Sequence, residues 1–108
     1  MSQRTEKVSS LIKQIIATEL THLPESAYLT VTNVEVSPDL RQATVWVGVF
    51  SKSDEEATNL FKSVETAQNR LQAAVARGLT TKFTPKLNFK PDSSGAYAED
   101  ITRLIKGL

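Results

Sequence analysis

One long amphipathic run, from Asp54 to about Leu79, constrains the fold of this 108-residue chain more than any other feature. Ser53, followed three residues later by Glu56, forms a capping box that predicts where a helix begins. A straight helix of roughly 26 residues would be about 39 Å long, which overhangs a domain with a radius of gyration of about 13 Å. The run is therefore expected to bend. Its apolar side chains recur at the spacing of a single helical stripe: Ala57, Leu60, Phe61, Val64, Ala67, Leu71, Ala74 and Val75.

Two places in this run are candidates for the bend. Asn69 tolerates irregular backbone better than most residues. The segment Ala76-Arg77-Gly78 contains a glycine, which would equally serve to end the helix. The apolar spacing continues through Asn69 without a phase shift, so periodicity alone does not choose between the two.

Elements of both kinds precede the long run and predict an α+β fold. Residues 8–20 carry the apolar spacing of a first helix, which should end near Pro24 because proline lacks an amide hydrogen. Residues 28–37 are rich in β-branched side chains and predict a strand, whose alternation is broken near Thr32-Asn33 as in a β-bulge. A second strand follows over residues 43–50, and the short connection implies antiparallel pairing.

The chain after the long run predicts a third strand and a closing helix. Residues 86–90 alternate between polar and apolar types, so Leu87 and Phe89 should face inward and the polar residues outward. A long helical crossover separates this strand from the second one, which permits parallel pairing. Residues 92–95 predict a turn, and residues 98–108 predict a short helix. The pattern as a whole indicates one domain over residues 1–108 with one core.

The charges are distributed unevenly. Residues 62–90 contain six of the 13 basic side chains but one of the 12 acidic side chains, so a formal net charge of +1 hides a segment of +5. On an ideal helix, the polar members of the long run group opposite the apolar stripe. The charges alone favour an ordinary solvated helix face over an RNA footprint, because charge runs usually keep proteins soluble. The candidate RNA-binding residues are Lys62, Asn69, Arg70, Arg77, Lys82, Lys86 and Lys90.

The sequence offers no candidate set of catalytic residues. It contains no cysteine and a single histidine, His22, so it has neither a cysteine site nor a multi-histidine metal site. The acidic residues 54–56 fit a helix N-terminus better than a metal site, and the four glycines form no phosphate-binding loop. We therefore predict a binding protein without metal, cofactor or small-molecule substrate. With no membrane span and no signal peptide in the pattern, the expected location is the cytoplasm.

Two blocks of sequence resemble the ribosome-binding factor A family. Residues 31–47, VTNVEVSPDLRQATVWV, resemble its first hairpin, in which a strand ends in Val-x-x-Ser-x-Asp-Leu and Ala-x-Val-x-Val follows. Residues 85–89 with Asp92-Ser93 resemble its Pro-x-Leu-x-Phe…Asp block. The order of helix, strand, strand, helix–kink–helix and strand is similar to that of a type II KH-like domain. The resemblance covers roughly residues 4–106.

Two positions depart from the family pattern. The family's kink usually reads Ala-x-Gly, and counting back from Pro85 places it at Ala67-Gln68-Asn69, with asparagine in place of glycine. The family often has arginine where this chain has Lys82, and lysine lacks the planar guanidinium group that binds bidentately.

The resemblance implies a non-catalytic maturation factor of the small (30S) ribosomal subunit. Such a protein binds 16S ribosomal RNA, assists late RNA processing or cold adaptation, and is expected to be a monomer. No Gly-x-x-Gly clamp is present, so contacts to the shape and phosphates of folded RNA are expected rather than reading of a single-stranded tetranucleotide. The alternative function is a protein-interaction or dimerisation module that uses the sheet face with Trp46 and Phe50, which should be partly exposed.

Overall fold

The structure, a computed structural model, describes residues 3–81 and 83–92, and the predicted α+β order is confirmed there. Three α-helices and three strands make up this part, joined in the order α1, β1, β2, α2, α3, β3. The turn predicted at residues 92–95 lies outside the described residues except for Asp92. The helix predicted at residues 98–108 lies outside them entirely. The elements are α1 Gln3–Leu20, β1 Leu29–Val36, β2 Gln42–Val49, α2 Asp54–Thr66, α3 Gln68–Gly78 and β3 Lys86–Pro91, with a short 3-10 helix at Ser26–Tyr28.

The sheet has the order β1-β2-β3 and is mixed. β1 and β2 pair antiparallel, as predicted, whereas β2 and β3 pair parallel, which the long helical crossover permits. The predicted bulge is present as well: Val31 pairs with Val47 and Asn33 with Trp46, which leaves Thr32 without a register partner. This extra residue lets side chains of opposite sequence parity face the same core.

The helices pack against one face of the sheet and bury its valines. Ile12 and Ile16 of α1, Leu71 of α3 and Val45 of β2 are fully buried at the centre of this layer. Side chains of the other parity form a polar second face, which we call the open sheet face. It consists of Asn33, Glu35, Gln42, Thr44, Trp46, Lys86, Asn88 and Lys90. No helix among the described residues is long and apolar enough to cross a membrane.

The long amphipathic run bends at Ala67, between α2 and α3. The backbone of Ala67 lies at φ −86° and ψ 3°, in the sparsely populated bridge region, and its N–H approaches the carbonyls of both Ser63 and Val64. The predicted bend is thus confirmed. Ala67 is the first residue of the segment Ala67-Gln68-Asn69, where the family pattern places the kink. Asn69 is wrong as the site of the bend, because it lies inside α3. Gly78 is not the site of the bend either, but it ends α3, which is the other role that the sequence left open for it.

The start of α2 follows the predicted capping box. The Ser53 hydroxyl accepts a hydrogen bond from the Glu56 backbone N–H at 3.1 Å, and the first turn carries three acidic residues. The first helix stops at Leu20, a turn earlier than Pro24 suggests, because the backbone N–H groups of the next three residues bond three residues back instead of four.

Candidate nucleic-acid interface

The outer side of α3 is a continuous exposed surface that carries two arginines. Arg70 and Arg77 are both exposed and stand two helical turns apart, about 10.5 Å along the axis. Asn69 is exposed beside Arg70. Ala73 and Ala76, also exposed, lie between Arg70 and Arg77 along the chain, and their short side chains let a bulky ligand approach the helix closely. Sequence reasoning missed these alanines, although small residues at helical spacing between cations were visible in the sequence.

Lys62 belongs to the same helical layer but to the other helix. It is exposed on α2, and the break at Ala67 separates it from the two arginines of α3. The grouping expected from an ideal helix therefore does not carry across the break, because the rotation per residue is interrupted there. We call Lys62, Asn69, Arg70 and Arg77 the helix face.

The strand lysines lie on a different surface. Leu87 of β3 is fully buried under the helices, so by strand alternation Lys86 and Lys90 point to the open sheet face. Both are exposed. The structure thus divides the predicted binding residues between two surfaces that adjoin along β3. Lys82 lies outside the described residues.

Two glutamines fix how the helix face is placed relative to β3. The Gln72 side chain accepts from the Leu87 backbone N–H at 2.9 Å and donates to the Pro85 carbonyl at 2.8 Å. Gln68 donates to the Leu87 carbonyl at 3.3 Å. These bonds satisfy the outer edge of β3, which as an edge strand would otherwise present unpaired backbone groups. Sequence reasoning missed both glutamines, since side-chain bonds to a distant strand leave no periodic signal.

The Ser-x-Asp-Leu block organises the turn between β1 and β2. The Asp39 carboxylate accepts from the Ser37 hydroxyl at 2.6 Å and from the Arg41 backbone N–H at 3.1 Å. These hydrogen bonds, the Ser37 bond first, hold the pKa of Asp39 below its ordinary value. Leu40 has φ 62°, the left-handed region, and is the sole non-glycine residue of the described chain with a positive φ. This block therefore has a structural role.

The aromatic residues of β2 are partly exposed, as predicted. Trp46 sits in the central strand of the open sheet face, and Phe50 follows directly after the strand. The more exposed large apolar side chains of the described residues are scattered instead of paired: Leu11, Tyr28 and Phe83. Trp46 and Phe50 are less exposed than these three side chains.

The domain packs a helix–kink–helix on one side of a mixed sheet. The second helix of that pair, α3, carries exposed cations. This arrangement defines a KH-like domain of the nucleic-acid-binding class. Within residues 3–81 and 83–92 no cluster of three or more His, Cys, Asp or Glu side chains can hold a metal ion. The chemistry available is that of guanidinium, ammonium and amide groups facing solvent.

The comparisons identify the family within this class. The family model of ribosome-binding factor A matches residues 4–105, and the chain belongs to that family. A ribosome-binding factor A of Akkermansia muciniphila is 33% identical over 110 residues, which cover 100% of this chain and 86% of that relative.

Solved structures agree with the fold. The crystal structure of ribosome-binding factor A from Thermus thermophilus matches with a TM-score of 0.67 and 28% identity, over 81% of this chain and 94% of that one. A homology model of the Thermus thermophilus factor, fitted into the cryo-EM map of a 30S–RbfA complex, matches with a TM-score of 0.61 and 28% identity, over 76% of this chain and 88% of that one. The predicted family and fold class are confirmed.

Proposed function

We propose that this chain binds the small (30S) ribosomal subunit and assists its late maturation without catalysing a reaction. Membership of the ribosome-binding factor A family supports this function, as does the similarity to a factor fitted into a 30S complex. The observation on the chain itself that carries the proposal is the exposed pair Arg70 and Arg77 on one side of α3. The proposed partner is 16S ribosomal RNA within the particle, in the cytoplasm.

The helix face suits contact with RNA phosphates. Arginine presents a planar group that binds a phosphate through two hydrogen bonds. Because Arg70 and Arg77 are about 10.5 Å apart along the axis, they reach different phosphates. The alanines between them leave room for the sugar–phosphate backbone to approach, and Asn69 supplies an amide for hydrogen bonding. Each phosphate neutralised releases counterions, so affinity should fall as salt rises.

The remaining candidates complete the proposed footprint. Lys62 extends it along α2, and Lys82 adds a cation in the sequence between α3 and β3. Lys86 and Lys90 carry it to the open sheet face. We also propose that residues 1–108 form a single domain and that the protein acts as a monomer.

The proposal is tested by binding to small subunits, and to their naked RNA, from about 50 to about 200 mM salt. The wild type is compared with the double variant Arg70→Glu, Arg77→Glu. The matched control is Lys7→Glu, Lys13→Glu, which makes the same change of charge at two exposed positions of α1. Circular dichroism and thermal unfolding establish that all three proteins are folded.

The expected result is a steep salt dependence for wild type and control, and a loss of affinity of more than about tenfold for the α3 variant. Equal losses in both variants would mean that net charge matters and the helix face does not. Binding that ignores both salt and the α3 variant would refute an RNA contact on this face.

A further inference from the structure

The open sheet face carries an aromatic ring and two cations in adjoining strands. Trp46 lies in the central strand and is in register with Lys90 of β3. Lys86 is in register with Gln42, at the other end of the same strand pair. The two lysines are four positions apart along β3, about 13 Å. Because in-register neighbours point to the same side of a sheet, all four side chains share one surface.

Charge on this face is polarised from one edge to the other. The lysines occupy β3, while Glu35 is exposed on β1, in register with Thr44. An anionic chain is therefore favoured along the β3 side and disfavoured over β1. The amides between the lysines are already oriented, since Asn88 donates to Gln42 across the strands at 3.3 Å.

We propose that the open sheet face binds an unpaired stretch of RNA, with one base stacked on Trp46 and flanking phosphates held by Lys86 and Lys90. Stacking on an aromatic ring tolerates any base, and lysines beside it track the backbone; this combination is typical of single-strand binding. The contact is separate from the helix face and differs from a glycine-loop clamp. It rests on the proposed function, in that the RNA is taken to be ribosomal.

RNA fits this face better than a second protein does. The residues around Trp46 are polar or charged: Asn33, Gln42, Thr44, Asn88 and Lys90. Protein interfaces concentrate apolar side chains and exclude lysine from their centre. Here a lysine, Lys90, is the in-register neighbour of Trp46.

Trp46 is the only tryptophan of the chain, so its fluorescence reports on this face directly. Oligouridylate and oligoadenylate of about eight nucleotides are titrated into the full chain at about 50 mM salt. We expect saturable quenching with both, because stacking quenches the indole and does not select the base. The titration is repeated on Lys86→Glu with Lys90→Glu, on Glu35→Lys, and on the α1 control Lys7→Glu with Lys13→Glu, which makes the same change of charge at two exposed positions.

The variants distinguish this site from an effect of net charge. Reversing the β3 lysines should weaken quenching about tenfold or more, Glu35→Lys should strengthen it, and the α1 control should leave it within about twofold. If the β3 variant quenches like wild type, or if the α1 control loses as much quenching as the β3 variant, the proposal is overturned. A mass that rises with protein concentration and falls on Trp46→Ala would also overturn it, since the face would then bind a second copy. If the wild type shows oligonucleotide quenching but does not bind 30S subunits, the ribosomal function is refuted and the sheet site still stands.

Discussion

Gln72 of α3 binds the backbone of Leu87 of β3 with the geometry of a neighbouring strand. Its amide oxygen accepts the Leu87 N–H at 2.9 Å, and its amide nitrogen donates to the Pro85 carbonyl at 2.8 Å. One side chain therefore performs the hydrogen bonding that a fourth strand would provide at this edge. It also fixes the distance between the two surfaces proposed to contact RNA.

Replacement of this glutamine should destabilise the fold measurably. In Gln72→Ala the part-buried N–H of Leu87 and the Pro85 carbonyl lose their partners, which costs about 1–3 kcal/mol for each group left unsatisfied. Chemical denaturation is the measurement. Gln14→Ala, at an exposed position of α1, is the control and should change stability by less than about 0.5 kcal/mol. Equal stability of the two variants would contradict the role assigned to Gln72.

Asp39 should make stability depend on pH in the acid range. Its folded-state pKa is lowered by hydrogen bonds from Ser37 and from the Arg41 N–H. The ionised carboxylate therefore stabilises the fold above the ordinary pKa of about 3.9, and that contribution disappears as pH falls through the lowered value. Asp39→Asn should melt below wild type at neutral pH, and the difference should shrink towards about pH 2. Thermal unfolding across this acid-to-neutral range tests this; a difference that stays constant with pH would show that the charge is irrelevant.

Gly78 should tolerate one additional carbon but not three. A β-carbon at this position would come within 2.5 Å of Ile15 Cδ1, the end of a flexible side chain on α1. In Gly78→Ala the required shift of that methyl group is offset by about 0.4–1 kcal/mol, because alanine has less conformational freedom than glycine in the unfolded chain, so stability should change little. Gly78→Val adds branching and should cost about 1–3 kcal/mol. Ala76→Val, at an exposed position of the same helix, is the control; identical losses at both positions would exclude close packing as the cause.

Arg70 should contribute both charge and geometry to binding of small subunits. Arg70→Ala removes one phosphate contact and should reduce the slope of log affinity against log salt by about 0.7–0.9. Arg70→Lys keeps the charge but loses the paired hydrogen bonds. It should therefore keep the wild-type slope and bind more weakly at every salt concentration. A lysine variant indistinguishable from wild type would reduce the role of Arg70 to charge alone.

Features encoded locally were predictable from the sequence. The capping box at Ser53, the bulge at Thr32 and the alternation around Leu87 each depend on a few neighbouring residues, and the structure has all three. The long helical crossover permitted parallel pairing without specifying it or its partner strand, and the structure places β3 parallel to β2. The family itself followed from two short blocks at the right separation.

Features that depend on tertiary packing were not predictable in this way. Asn69 is a candidate for the bend because of its backbone tolerance, yet the helix breaks at Ala67, whose residue type gives no such signal. The separation of Lys86 from Arg70 onto different surfaces follows from where α3 packs on the sheet. A list of basic residues could not reveal it, because the number of charges along a chain does not say which surface each side chain faces.

The parallel pairing of β2 with β3 has a consequence for how the molecule reaches its active form. Gln42 and Lys86 are in register although the whole of α2 and α3 lies between them along the chain, so closing this pair costs more loop entropy than closing the β1–β2 hairpin. We expect the β1–β2 hairpin to form before β3 joins the sheet. Lys86 and Lys90 lie beside β2 and Trp46 only when β3 has paired with β2. A chain in which this pair has not closed therefore lacks the surface proposed to bind unpaired RNA.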